Sequence, residues 1–76
     1  MPHVVVKLWP GPSEDQKARL AEAIVRSFVD TLHSSESSVS VAIEEVSPGE
    51  WMENVYRPEI APNMARLYKK PGYDPF

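Results

Sequence analysis

The sequence contains no cysteine, so neither a disulfide nor a thiolate metal site can stabilise the chain. Its 76 residues fall below the roughly 80 at which one hydrophobic core usually suffices. The two histidines, His3 and His33, lie far apart in the sequence and form no cluster with the spacing of metal ligands. Hydrophobic residues make up 42% of the chain, which is enough for a core shared between copies. We therefore expect an obligate oligomer.

Positive charge and long apolar runs are also scarce. Eight Lys and Arg against eleven Asp and Glu give a net charge of −3, without the basic surplus of nucleic-acid-binding modules. No apolar run exceeds three residues, whereas about 20 are needed to cross a bilayer. Lys7 and Pro10 interrupt any signal-peptide pattern near the start. We expect a cytoplasmic protein that binds neither nucleic acid nor a membrane.

Apolar periodicity predicts a strand, a helix and a second strand in that order. Residues 4–9 are mostly β-branched and nearly continuous, as in a parallel strand, and residues 39–46 alternate with period two. Between them, residues 13–32 repeat apolar side chains every fourth position, as in an amphipathic helix. Ser13 with Gln16 has the spacing of a capping box at the helix start. The apolar stripe that we expect in the core consists of Leu20, Ile24, Phe28 and Leu32.

The C-terminal third shows a broken helical pattern. Residues 50–69 have roughly helical apolar spacing, but Pro58 and Pro62 interrupt it, so two short helices or one kinked helix are both compatible. Lys69 and Lys70 are expected in the last helical turn, where the helix dipole favours cations. The tail, residues 73–76, is a candidate for contact with a neighbouring chain.

These elements predict an α+β fold, a single β-α-β unit with a C-terminal helical extension. The strand–helix–strand order implies a right-handed parallel crossover. A two-stranded sheet leaves exposed edges, so we expect two chains to dimerise into a four-stranded sheet. We expect one domain over residues 2–76, because initiator methionine is usually removed before a small residue such as proline.

Pro2 is the residue whose chemistry most clearly suggests catalysis. Once Met1 is removed, its nitrogen is a free secondary amine, and α-amino groups ordinarily titrate near pH ~7.7–8.0. An apolar site disfavours the charged form and lowers that pKa, so the amine can act as a general base. If Met1 stays, the nitrogen is a tertiary amide without basicity. A non-catalytic oligomeric binding protein is then the alternative.

Five separate segments stand in the order in which one enzyme family has them. They are Pro2-His3, residues 37–42 (Ser-Ser-Val-Ser-Val-Ala), Trp51, residues 59–62 (Glu-Ile-Ala-Pro) and residues 69–73 (Lys-Lys-Pro-Gly-Tyr). In these segments the chain resembles the 4-oxalocrotonate tautomerase superfamily, and most closely its dimeric phenylpyruvate-type branch. The resemblance implies an isomerase, a keto–enol tautomerase of small 2-oxo acids such as phenylenolpyruvate. It implies Pro2 as the general base, no cofactor and no metal.

The resemblance also implies a substrate site. Trp51 stands where the family's hexameric archetype has an active-site phenylalanine, so an apolar wall is expected there. Pro12 and Ser40 stand where that archetype has two arginines, so efficient turnover of a dicarboxylate is not expected. His3 and Ser40 are weaker hydrogen-bond donors for the substrate, and strand alternation points His3 away from Pro2.

A cation is expected to hold the substrate carboxylate. The candidates are Lys69, Lys70, Arg57 and Arg66. Lys69 is favoured because it stands in a segment shared with the family. The implied partners are therefore a small carboxylate substrate and a second copy of the chain. Another reaction of the superfamily, dehalogenation or decarboxylation, is a further alternative.

Overall fold

The computed structural model describes residues 1–73, which fall into two compact units, Met1–Glu45 and the part of Val46–Phe76 that ends at Tyr73. The first unit contains strand β1 (His3–Leu8), helix α1 (Glu14–Leu32), a 3₁₀ turn (Glu36–Ser38) and strand β2 (Ser40–Glu45). The second unit contains helix α2 (Pro48–Trp51), a π-helical segment (Met52–Ile60) and a 3₁₀ segment (Ala61–Arg66). The predicted β-α-β unit with a helical C-terminal part is confirmed.

The two strands pair in parallel, as the sequence pattern predicts. Their register runs from His3 opposite Ser40 to Leu8 opposite Glu45. Because side chains alternate along a strand, Val4 and its partner Val41 lie on one face of the sheet, and His3 and Ser40 lie on the other. Because cross-strand partners share a face of the sheet, the register determines which side chains can contact each other.

Helix α1 begins and ends at specific caps. The Ser13 hydroxyl accepts a hydrogen bond from the Gln16 backbone N–H at 3.1 Å, and the Gln16 side chain accepts one from the Ser13 N–H at 2.9 Å. This confirms the predicted capping box. At the other end, His33 adopts the left-handed conformation with φ of 57°, and its N–H donates to the Val29 carbonyl at 3.1 Å. A residue in this conformation terminates the helix.

The expected core stripe on α1 is correct at its centre and wrong at its two ends. Ile24 and Phe28 are half-buried, but Leu20 is 39% exposed and Leu32 is 63% exposed. A helix has about 3.6 residues per turn, so each four-residue step rotates the stripe by about 40° and its ends diverge by about 120°. Leu20 and Leu32 therefore leave the half-buried face.

The helical part of the second unit is one continuous stretch whose hydrogen-bond spacing changes along it. Pro58 lies inside the π-helical segment, where the wider turn accommodates a residue without an N–H donor. The helical stretch ends at Arg66, because Leu67 is extended with φ of −73° and ψ of 127°. The expectation that Lys69 and Lys70 lie in the last helical turn is thus wrong. Short 3₁₀ runs stop early because their hydrogen bonds have poorer geometry.

Burial within the single chain is slight. Among residues 1–73, only Val55 and Tyr56 are buried, with 5% and 7% of their surface exposed. Apolar side chains such as Val5, at 45%, and Trp9, at 55%, stay largely exposed. This distribution agrees with a core completed by association, which stays a prediction, as does a single domain over residues 2–76. No helix within the described residues is long and apolar enough to cross a membrane.

Candidate active site

Pro2 lies immediately before β1 and is tied to β2 through its carbonyl group. The Ser40 backbone N–H donates to the Pro2 carbonyl oxygen at 3.1 Å. Pro2 itself is half-buried, while Met1 is fully exposed and makes the Pro2 nitrogen a tertiary amide as long as it is attached. Removing Met1 therefore leaves the anchored carbonyl in place and converts the nitrogen into an amine at the start of the strand.

The side chains of His3 and Ser40 meet across the two strands. Nδ1 of His3 lies 2.6 Å from Oγ of Ser40, and the two residues are partners in the sheet register. A neutral imidazole has one donor and one acceptor nitrogen, so the direction of the bond at Nδ1 decides whether Nε2 is left as a donor or an acceptor. Two of the donors predicted for the substrate thus meet and bind each other. His3 follows Pro2 in the sequence, and Ser40 is bonded to the Pro2 carbonyl.

Trp51 is the last residue of α2 and is half-buried. Its indole Nε1–H donates to the Tyr73 hydroxyl at 3.2 Å. The Tyr73 ring packs on the ring of Tyr56, with 6.2 Å between centroids and 49° between planes. Tyr73 therefore contacts its own chain. Contact of the tail, residues 73–76, with a neighbouring chain stays a prediction. The rest of that tail, residues 74–76, lies outside the described residues.

The four candidate cations have different surroundings. Arg57 pairs with Glu53 one turn earlier at 3.1 Å, and Arg66 donates to the side-chain oxygen of Asn63. Lys69 is exposed and donates to the backbone carbonyl of Lys70 at 3.4 Å. Such a long bond to a backbone oxygen leaves the Lys69 charge available to an anion. Within residues 1–73, no group of three or more His, Asp or Glu side chains is arranged to hold a metal ion.

A groove of about 500 Å³ lies in the first unit between α1 and β2. Apolar side chains such as Val25, Val29 and Val41 line it, together with the charged Glu22 and Arg26. None of the site residues predicted from the sequence lines this groove.

Comparison with known proteins identifies the family. The model of the family described as "Tautomerase enzyme" matches residues 2–57, which include Pro2, His3, Ser40 and Trp51. The chain belongs to the tautomerase family. It is therefore an isomerase, as the resemblance in its segments implies, and that resemblance is confirmed.

Curated relatives extend the similarity over nearly the whole chain. The chain is 45% identical to Tautomerase PptA of Cronobacter sakazakii over 75 residues, which cover 97% of this chain and 99% of that protein. It is 42% identical to a probable tautomerase of Xylella fastidiosa, over 96% of this chain and 89% of that protein. The C. sakazakii alignment covers 97% of this chain and therefore extends well beyond the family match, which ends at residue 57.

A solved structure with the same fold is TomN, a 4-oxalocrotonate tautomerase homologue in the tomaymycin biosynthetic pathway. It superposes with a TM-score of 0.64 at 34% identity, over 66% of this chain and 77% of that chain. The tautomerase fold is therefore established on both sequence and structure.

Tyr73 is the residue that reasoning from the sequence did not assign to the site. Its only signal was its place after Pro71 and Gly72 at the end of a segment shared with the family. A proline–glycine pair predicts a turn, but not where the chain goes after it. The contact with Trp51 depends on that path.

Proposed function

We propose that this tautomerase interconverts the enol and keto forms of small 2-oxo acids such as phenylenolpyruvate, with the Pro2 nitrogen as general base. The observation that carries the proposal is the position of Pro2. It is the first residue of the family match, and its carbonyl is anchored to β2 by Ser40. An amine held at the start of a strand is positioned to exchange protons with a bound substrate.

The proton transfer needs one group that first accepts and then donates. With Met1 removed, the Pro2 amine takes the proton of the enol hydroxyl. As the C2–O bond becomes a carbonyl, the electron pair of the C2–C3 double bond takes the proton from Pro2 at C3. The product is the ketone and Pro2 returns to its neutral form. The carbonyl oxygen accommodates the charge that develops, so the step needs no cofactor or metal.

The base must be neutral near physiological pH. An apolar site disfavours the charged form of an amine and lowers its pKa. We assign Trp51 to the apolar wall of the substrate site, as the family resemblance implies. In support, Trp51 is half-buried and its indole N–H is already bonded to Tyr73, so its ring can present an apolar surface.

In this proposal Lys69 binds the substrate carboxylate, and His3 and Ser40 are neutral hydrogen-bond donors to the substrate. Within residues 1–73, Lys69 has one long bond to a backbone oxygen, whereas Arg57 is paired with a carboxylate. The family's hexameric archetype has two arginines where this chain has Pro12 and Ser40. A substrate with one carboxylate therefore suits the site better than one with two. Monocarboxylates are therefore the proposed substrate class.

The proposal includes the setting in which the enzyme works. Two chains associate into a homodimer through their two-stranded sheets, the chain forms one domain over residues 2–76, and the enzyme is cytoplasmic. The small core of the single chain supports the association, because only two of the described residues are buried.

The test is a spectrophotometric ketonisation assay with phenylenolpyruvate, on protein whose N-terminus has been verified by mass. Pro2→Ala should lower kcat/KM by about 10²- to 10⁴-fold, the usual contribution of a general base. A matched control is the unsubstituted chain with Met1 retained, which should be inactive because its Pro2 nitrogen is an amide. Unchanged rates in Pro2→Ala of verified N-terminus would remove Pro2 from the mechanism. Faster turnover of 3-haloacrylates than of enolpyruvates would move the function to dehalogenation.

A further inference from the structure

The chain beyond the helical stretch returns to the side chain at the end of α2. Helical structure stops at Arg66, and Tyr73 follows seven residues later. The chain bends at Gly72, and the Tyr73 hydroxyl meets the indole of Trp51, which lies 22 residues earlier in the chain. The segment 69–73 therefore ends on a residue that the proposed site contains.

Tyr73 is held at both ends of its side chain. Its ring packs on Tyr56, which is only 7% exposed, and its hydroxyl accepts the indole N–H of Trp51 at 3.2 Å. The indole has a single polar atom, a donor, so this bond satisfies the hydrogen-bonding capacity of Trp51 completely. In this bond the Tyr73 hydroxyl oxygen is the acceptor, so its O–H group is not used as a donor.

We infer that Tyr73 is a positioning residue, which holds the indole of Trp51 in the orientation that the substrate side chain contacts. The inference rests on the proposed function, in which Trp51 lines the substrate site. Tyr73 itself need not touch the substrate. It acts through Trp51, with the buried ring of Tyr56 as its support.

A hydrogen bond to the indole restricts rotation about the bond that joins the ring to Cβ. Without the Tyr73 hydroxyl, the Trp51 ring can adopt other rotamers. A smaller fraction of the protein then has the indole in the orientation on which a substrate phenyl group stacks. The loss should raise KM for an aromatic substrate more than for enolpyruvate, which has no ring to stack. The proton transfer, and therefore kcat, should change little.

The chain offers matched controls for this test. Tyr73→Phe removes the hydroxyl and keeps the ring that packs on Tyr56. Tyr68→Phe removes a hydroxyl from a fully exposed tyrosine, so it controls for the chemical change alone. Trp9→Phe, used as the background in every variant, leaves Trp51 as the single tryptophan of the chain.

The experiment has a spectroscopic arm and a kinetic arm. Nuclear magnetic resonance of isotope-labelled protein follows the indole N–H signal of Trp51, and the ketonisation assay gives KM and kcat for phenylenolpyruvate and enolpyruvate. Tyr73→Phe should shift the indole signal and speed its exchange with solvent. It should raise KM for phenylenolpyruvate by about two- to tenfold, which corresponds to one neutral hydrogen bond. Tyr68→Phe should change neither.

The outcomes separate this inference from the proposed function. An unmoved indole signal in Tyr73→Phe, or an unchanged KM for phenylenolpyruvate while Trp51→Leu raises it, would overturn the role of Tyr73 alone. An unchanged KM in Trp51→Leu would remove Trp51 from the substrate site, and the inference with it. Loss of activity only in Pro2→Ala, with both aromatic variants unaffected, would keep the general base and reject the positioning role.

Discussion

Ser40 binds both Pro2, which precedes β1, and His3, which is the first residue of β1. Its backbone N–H donates to the Pro2 carbonyl at 3.1 Å, and its hydroxyl oxygen lies 2.6 Å from Nδ1 of His3. The first contact belongs to the parallel pairing of the strands, whereas the second depends on the side chains. Ser40 therefore orients the residue that carries the proposed base and engages the imidazole that follows it.

Ser40→Ala removes the hydroxyl and keeps the backbone hydrogen bond to Pro2. We expect kcat/KM for phenylenolpyruvate to fall by about two- to tenfold, the range of one neutral hydrogen bond. His3→Ala should have a similar effect, and the double variant should lose less than the sum of the two single variants because both remove the same bond. Ser37→Ala, at an exposed serine before β2, is the control. Strictly additive effects of Ser40→Ala and His3→Ala would show that the two side chains act separately.

Lys69→Ala should raise KM for a carboxylate substrate and leave kcat nearly unchanged, because the charge binds the substrate without transferring a proton. One charge-assisted hydrogen bond at an exposed site corresponds to about a tenfold change. The matched control is Lys70→Ala, which keeps the backbone carbonyl that Lys69 contacts. Steady-state kinetics with phenylenolpyruvate measure both. An equal rise of KM in the two variants would assign the effect to general surface charge.

Lys17 connects the first turn of α1 to the end of β2. Its ammonium group lies 3.2 Å from Glu45 and 3.4 Å from Glu14. The hydrogen bond to Glu45 raises the pKa of Lys17 above its ordinary 10.5, with Glu14 adding to the effect and partial desolvation opposing it. A raised pKa in the folded state means that the pair stabilises the fold below pH 10.5. That contribution disappears as the pH rises through the folded-state pKa.

Lys17→Met should therefore lower the melting temperature at pH 7, and the difference from the unsubstituted protein should shrink above pH 10.5. The control is Arg19→Met, which breaks a largely exposed pair with Asp15 on the same helix and should cost less. Thermal unfolding followed by circular dichroism across this pH range makes the measurement. A difference that stays constant with pH would assign the Lys17 effect to packing of its aliphatic stem.

Association of two chains is expected from the small amount of surface that one chain buries. Sedimentation velocity should give a mass about twice the 8.6 kDa of the single chain, and dilution should produce no folded monomer before the fold is lost. The physical reason is that a chain of 76 residues, of which only two among residues 1–73 are buried, lacks a sufficient core of its own. A stable folded monomer would contradict this prediction.

The sequence predicted most of the first unit because local patterns determine it. Alternation and β-branching identify the strands, and the Ser13–Gln16 capping box identifies the helix start, since these signals involve neighbouring residues only. The order of segments from Pro2-His3 onward identified the family. Leu20 and Leu32 are exposed in the single chain although they share the predicted stripe, because a stripe of four-residue steps rotates around the helix.

Tertiary structure decided which of the predicted site residues meet. His3 and Ser40 are 37 residues apart, and Trp51 and Tyr73 are 22 apart. Local propensity contains no information on such pairs, because they depend on strand register in one case and on the path of the chain beyond the helix in the other. What the sequence determined by itself is therefore the set of elements and the family. The register of the sheet and the return of Tyr73 to Trp51 come from packing, which acts between residues that only the folded chain brings into contact.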